Sequence, residues 1–128
     1  MANNSVLLFN NDLNLQLKHA ARVKICFDII NDFLPDSEIY LFGSYAKREI
    51  KDESDIDILV LLGKEITSQE LQKIRWKIED EVEAINHNAF ELDLKIYSKK
   101  FYEDQLSYSY FFIEIEKYKK DLRGVKWT

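Results

Sequence analysis

Three aspartates and one Gly-Ser pair are the residues whose types and spacing can do chemistry together. Gly43-Ser44 closes a short apolar run. There a glycine lets the backbone come close to a ligand, and the serine offers a hydroxyl and an N–H to phosphate oxygens. Asp55 and Asp57 open the run DIDILVLL. On an extended chain they share one face, about 6.6 Å apart along it, so both carboxylates can reach a shared pair of divalent ions. Hard oxygen ligands of this kind suit Mg²⁺, which binds through one or two carboxylates plus substrate phosphates and water. Asp93 sits in FELDLKIY in a similar alternation and completes a three-carboxylate cluster if the two polar faces coincide. Glu91, on the same face, competes for that third place. Lys47 and Arg48 follow the Gly-Ser pair closely enough to contact triphosphate oxygens, or to stand as solvated charges on a short helix.

The elements around these residues must position them. Val23, Phe27, Ile30 and Leu34, flanked by Cys26 and Phe33, follow helical spacing, and Pro35 ends the pattern, which predicts a long helix over 12–34. SEIYLF, residues 37–42, is β-branched and aromatic and runs into Gly43, so it reads as a buried strand entering a tight turn. Residues 45–50 can form a turn or two of helix. The run 55–62 becomes continuously apolar after its acids, as in a central strand with one end in solvent. Ser68 is the expected N-cap of a helix carrying Leu71, Ile74, Ile78, Val82 and Ile85 on one stripe, ended by Asn86-His87-Asn88. Residues 90–97 alternate as a strand with one polar face, and 101–122 read as two further helical pieces.

Connection lengths give the topology. The link between the first two strands, about ten residues, is short for a parallel crossover, so an antiparallel pair is expected. A full helix joins the second and third, so these are expected to be parallel with a right-handed crossover. The result is a layered α/β or α+β domain: a small mixed sheet flanked by helices.

Gly-Ser, ten intervening residues, Asp-x-Asp and a third aspartate in ELDLKIY together resemble the nucleotidyltransferase superfamily of the DNA polymerase β type. The GSYAKRE opening is most similar to its minimal nucleotidyltransferase (MNT) branch, and the likeness covers roughly 37–98. Members of that branch are often antitoxins paired with a HEPN-family ribonuclease toxin. The resemblance implies that Gly43 and Ser44 hold the β- and γ-phosphates of ATP. It implies that Asp55 and Asp57 coordinate two Mg²⁺ ions, and that Asp93 binds the ion activating the acceptor hydroxyl. Such ions, roughly 3.5–4 Å apart, would stabilise both the attacking oxygen and the leaving pyrophosphate. Lys47 matches the basic position after G-S-x-A, while Arg48 stands where the branch often has glycine, so the local turn is expected to differ. The implied function is transfer of AMP from ATP to a hydroxyl of a partner, a HEPN toxin. The alternatives are an antitoxin that masks its partner sterically and a small-molecule nucleotidyltransferase.

Composition bounds these readings. At 128 residues and 46% hydrophobic, the chain has apolar material for one core, so a single domain over 1–128 is expected. A net charge of -5 argues against a general nucleic-acid surface, which works by neutralising phosphates with clustered cations. The run Val6-Leu7-Leu8-Phe9 is too short for a signal-peptide core, and a cytoplasmic protein is expected. Cys26 reads as a buried small hydrophobe. His19 and His87 read as surface residues, and Trp76 falls off the stripe of its helix. Tyr102, Tyr108, Tyr110, Phe111 and Phe112 read as core or oligomer contacts rather than a base-stacking platform.

Overall fold

The computed structural model describes residues 6–8, 14–47, 50–51, 55–87 and 89–125, with side chains described from residue 18 onward. Arg48 and residues 52–54 lie outside the described residues. Two short strands, β1 (Val6–Leu8) and β2 (Asn14–Gln16), form an antiparallel pair ahead of α1 (Leu17–Phe33). The helix therefore starts at Leu17, several residues later than its apolar pattern suggests, because part of the polar stretch before it is extended. Then follow β3 (Glu38–Phe42), α2 (Gly43–Lys47), β4 (Ile56–Leu62), α3 (Ser68–Asn86), β5 (Leu92–Ser98), α4 (Lys99–Gln105), α5 (Tyr110–Tyr118) and the two-residue β6 (Lys120–Asp121).

The main sheet has the order β5-β4-β3-β6. Strands β3 and β4 are antiparallel and β4 and β5 parallel, as expected from their connections, while β6 adds to the free edge of β3. Alternation along each strand sorts side chains between two layers. Ile39, Leu41, Ile56, Ile58, Val60, Leu94 and Ile96 pack with Val23, Cys26, Ile30, Ile78 and Val82 from α1 and α3. On the other face, Phe42, Leu59 and Leu61 pack with Tyr102 of α4 and Phe112 and Ile115 of α5. The odd-numbered positions of β4 and β5 thus look toward α4 and α5, and Asp57, Asp93 and Lys95 are among them.

The helix ends explain the spacing between elements. Pro35 cannot continue α1, and the carbonyls around this turn are collected by one guanidinium. Arg123 Nε donates to the Ser37 carbonyl at 2.6 Å, and Nη2 donates to those of Pro35 at 2.9 Å and Leu34 at 3.2 Å. Thr67, not Ser68, caps α3: its hydroxyl accepts from the Glu70 N–H at 3.2 Å and donates to the Glu70 carboxylate at 3.1 Å. His87 ends α3 in the left-handed conformation, at φ 50°. Ile85, placed on the apolar stripe by spacing, is 53% exposed, since the core beneath α3 ends at Val82.

Candidate active site

Parallel pairing of β4 with β5 sets Asp57 directly beside Asp93, while the antiparallel pairing with β3 sets Phe42 on its other side. Glu91 precedes β5; its carbonyl accepts from the Ile56 N–H at 2.9 Å and its side chain is exposed. Of the two candidates, it is Asp93 that the register brings to Asp57. Asp55 stands exposed just before β4, close enough to add to the negative field at Asp57.

Gly43 begins α2 at φ +70°. A Cβ built there would lie 2.0 Å from Asp57 Oδ2 and 2.8 Å from Asp57 Cγ, so only glycine lets the β3–α2 turn press against this carboxylate. Ser44 follows, half-buried. Four of the six expected site residues thus meet at one end of the sheet: Gly43, Asp55, Asp57 and Asp93, with Ser44 adjacent in the turn. Lys47 leaves α2 in another direction. Its ammonium is 3.9 Å from Glu114 Oε2 and 5.0 Å from the centroid of the Tyr118 ring, both on α5.

Electrostatics at the pair are unfavourable for two full charges. Partial burial pushes the Asp57 carboxyl up to about 7, and the neighbouring charge of Asp93, a hydrogen bond with it and the charge of Asp55 push in the same direction. Lys95 opposes them, its ammonium lying 3.3 Å from Asp93 Oδ1. The pair therefore retains a proton near neutrality unless another cation is supplied. Among the described residues, no three His, Cys, Asp or Glu side chains are drawn together as a closed metal-ligand set. Two adjoining carboxylates with a third nearby fit an ion that takes its remaining ligands from phosphate and water.

Behind the Gly-Ser turn lies a residue that sequence reasoning misplaced. His19 is 5% exposed, and its Nδ1 is 2.9 Å from the hydroxyl of Tyr45, itself fully buried. The rings meet edge-on, 5.5 Å between centroids. This contact ties α1 to α2 and so supports the turn that carries Gly43 and Ser44. The signal was present: His19 falls four residues before Val23, on the helix's apolar stripe, although its lysine neighbour suggests a surface position. His87 is exposed as expected, Cys26 is buried with its thiol pushed up to about 12 by burial, and Trp76 is 55% exposed. The aromatic set divides: Tyr102 and Phe112 are core, whereas Tyr108 and Tyr110 are each 76% exposed and Phe111 is 48% exposed.

A cavity of about 630 Å³ opens at the other end of β5, lined by Ser68, Arg75, Tyr97, Ser98 and Phe101 among others. Asp55, Asp57 and Asp93 are not among its lining residues. No helix of the described residues is long and apolar enough to cross a membrane.

Comparison with known proteins bears on this arrangement. Residues 23–88, just over half of the chain, match the nucleotidyltransferase domain family. The matched span includes Gly43, Ser44, Asp55 and Asp57 and stops before Asp93, so the third carboxylate rests on the β4–β5 register. A Methanocaldococcus jannaschii protein named as a candidate protein adenylyltransferase is 37% identical over 59 residues, covering 43% of this chain. The match spans 63% of that relative's length. A solved toxin-antitoxin structure with AMP-PNP aligns at a TM-score of 0.52 and 22% identity, covering 80% of this chain and 71% of the solved one. A variant of the toxin-antitoxin pair MntA-HpeT aligns at 0.50 and 22% identity, covering 79% and 70%. At that identity these two structures establish a shared fold.

Proposed function

The chain belongs to the nucleotidyltransferase domain family, and from that membership we propose that it transfers the AMP moiety of ATP to a hydroxyl of a partner protein. The observation that carries this reading is the register that sets Asp57 beside Asp93 with Gly43 pressed against the Asp57 carboxylate. Asp55, Asp57 and Asp93 would hold Mg²⁺. When bound, Mg²⁺ supplies Lewis-acid stabilisation of the attacking oxygen and the departing pyrophosphate. Gly43 lets the backbone of the turn sit against the Asp57 carboxylate and so beside the phosphates, and the Ser44 hydroxyl donates to a β- or γ-phosphate oxygen. Asp93 accepts the proton of the acceptor hydroxyl as its oxygen attacks the α-phosphorus. The bond from that phosphorus to the bridging oxygen breaks, and pyrophosphate leaves. Lys47, held by Glu114 and Tyr118, reaches phosphate in this scheme only by leaving α5.

The partner in this reading is a HEPN-type toxin in the cytoplasm, with this chain as its antitoxin. Support comes from the toxin-antitoxin assemblies that share the fold, one of them with AMP-PNP, and from the relative named for protein adenylylation. The test is to incubate the chain with a cognate toxin, Mg²⁺ and ATP and to weigh the toxin. A gain of adenylyl mass that Asp57→Asn abolishes is the expected result. Neutralisation that survives Asp57→Asn with no change in mass would replace transfer by steric masking.

A further inference from the structure

Lys95 follows Asp93 by two residues on β5, so both side chains leave the same face of the sheet. The lysine ammonium lies 3.3 Å from Asp93 Oδ1 and 5.8 Å from the centroid of the Phe111 ring on α5. Neither partner of the ion pair is sealed from water: the side chains are 27% and 44% exposed. A pair of that kind is worth only about two- to fivefold in an equilibrium constant, enough to set where the ammonium rests and too little to hold it there. Phe111 adds a second weak attraction through its ring face, which keeps the ammonium beside the carboxylates when it is not on Asp93. Lys95 thus supplies positive charge where Asp57 and Asp93 stand side by side.

We infer that Lys95 is a positioning residue of the proposed metal-nucleotide site, on which this inference rests: its ammonium holds Asp93 while the site is empty and turns to the triphosphate when Asp93 takes a divalent cation. Asp93 cannot give the same oxygen fully to an ammonium and to a divalent ion, so the two compete. A lysine suits the exchange because its flexible four-carbon stem and three rotatable donors move by side-chain rotation alone. Arginine in its place would grip the carboxylate with a planar two-pronged fork and release it less readily.

The experiment titrates Mn²⁺ into the nucleotide-free full chain by calorimetry, for wild type, Lys95→Met and Lys95→Arg, each first shown folded by circular dichroism. Lys95→Met is expected to bind Mn²⁺ about two- to fivefold more tightly than wild type, since the competing ammonium is gone. Lys95→Arg is expected to bind it more weakly than wild type, although its charge is unchanged. With Mg²⁺ and a non-hydrolysable ATP analogue the order for Lys95→Met reverses: it binds about tenfold more weakly, having lost a charged donor to phosphate. Mn²⁺ affinities of both variants equal to wild type would overturn the assignment of Lys95, as would equal affinity for the analogue in Lys95→Met. Wild type binding neither Mn²⁺ nor the analogue would overturn the site itself, a result distinguishable from failure of the lysine alone.

Discussion

Asp57→Asn is expected to make the nucleotide-free protein more stable at pH 8 while abolishing its response to Mg-ATP. The folded protein lifts this carboxyl from its ordinary value of 3.8 to about 7, through burial first and the neighbouring aspartates next. A raised value means that the folded state favours the protonated form. The favourable contribution is complete below the unfolded value, declines as pH climbs between the two, and is gone once pH passes about 7. At pH 8 wild type therefore carries a half-buried charge against Asp93, and asparagine does not. Because the side chain is only half-buried, solvent screening reduces the effect to ~1–2 kcal/mol, which corresponds to a melting-temperature gain of about 3–8 °C for a chain of this size. Thermal unfolding of both proteins in chelator, from pH 4 to 8.5, measures it. The two curves should converge toward pH 4, separate up to about pH 7 and run parallel above. With Mg-ATP at pH 8, wild type should rise and Asp57→Asn should not. A variant less stable than wild type at pH 8, or a difference that ignores pH, would refute the reasoning.

Gly43→Ala combines a left-handed φ with a Cβ that meets Asp57 Oδ2, so ~1–3 kcal/mol of stability should be lost in chemical denaturation, together with Mg-ATP binding. Tyr45→Phe removes the hydroxyl at His19 Nδ1 and should cost about 1–2 kcal/mol, whereas a truly exposed His19 would make the change nearly silent. Arg123→Ala removes a donor from three carbonyls around the α1–β3 turn, of which that of Leu34 keeps the Ser37 hydroxyl and N–H, and should lower stability by about 1–3 kcal/mol; Arg123→Lys should restore little, since a single ammonium cannot reproduce the fork.

Features set by local period were readable from the residues. Alternation in FELDLKIY and the acids heading DIDILVLL specify which face each aspartate occupies, and a helix between two strands favours the parallel crossover seen for β4 and β5. Once parallel, the strands needed just one further quantity, the register, and the shared buried face of positions 56, 58, 92 and 94 narrows it only to steps of two residues, which leaves Asp57 facing either Glu91 or Asp93. The pairing of Asp57 with Asp93 was therefore legible only as one of two choices, and the β4–β5 ladder decides it against Glu91. The edge strand β6 was not, because two residues carry no period, and their pairing with β3 depends on where α5 ends. Thr67 and Ser68 are adjacent hydroxyl residues, either able to cap α3, and only backbone geometry separates them.

The directions of the cations were least legible, and they matter most for the chemistry. Lys47 and Lys95 each lie four residues or fewer from a residue expected in the site, yet one turns to Glu114 and Tyr118 and the other to Asp93. What separates them is α5, whose position follows from Phe112 and Ile115 packing on Phe42, Leu59 and Leu61. Burying that face leaves Phe111, Glu114 and Tyr118 along the edge of the helix that meets these two lysines. Phosphate contacts made by a flexible lysine are consequently a property of tertiary packing rather than of motif spacing. A glycine or an aspartate on a strand behaves differently, since its backbone already fixes where it points. Moving α5 without touching the motif should therefore alter nucleotide affinity through the lysines alone, while the carboxylate pair remains in register.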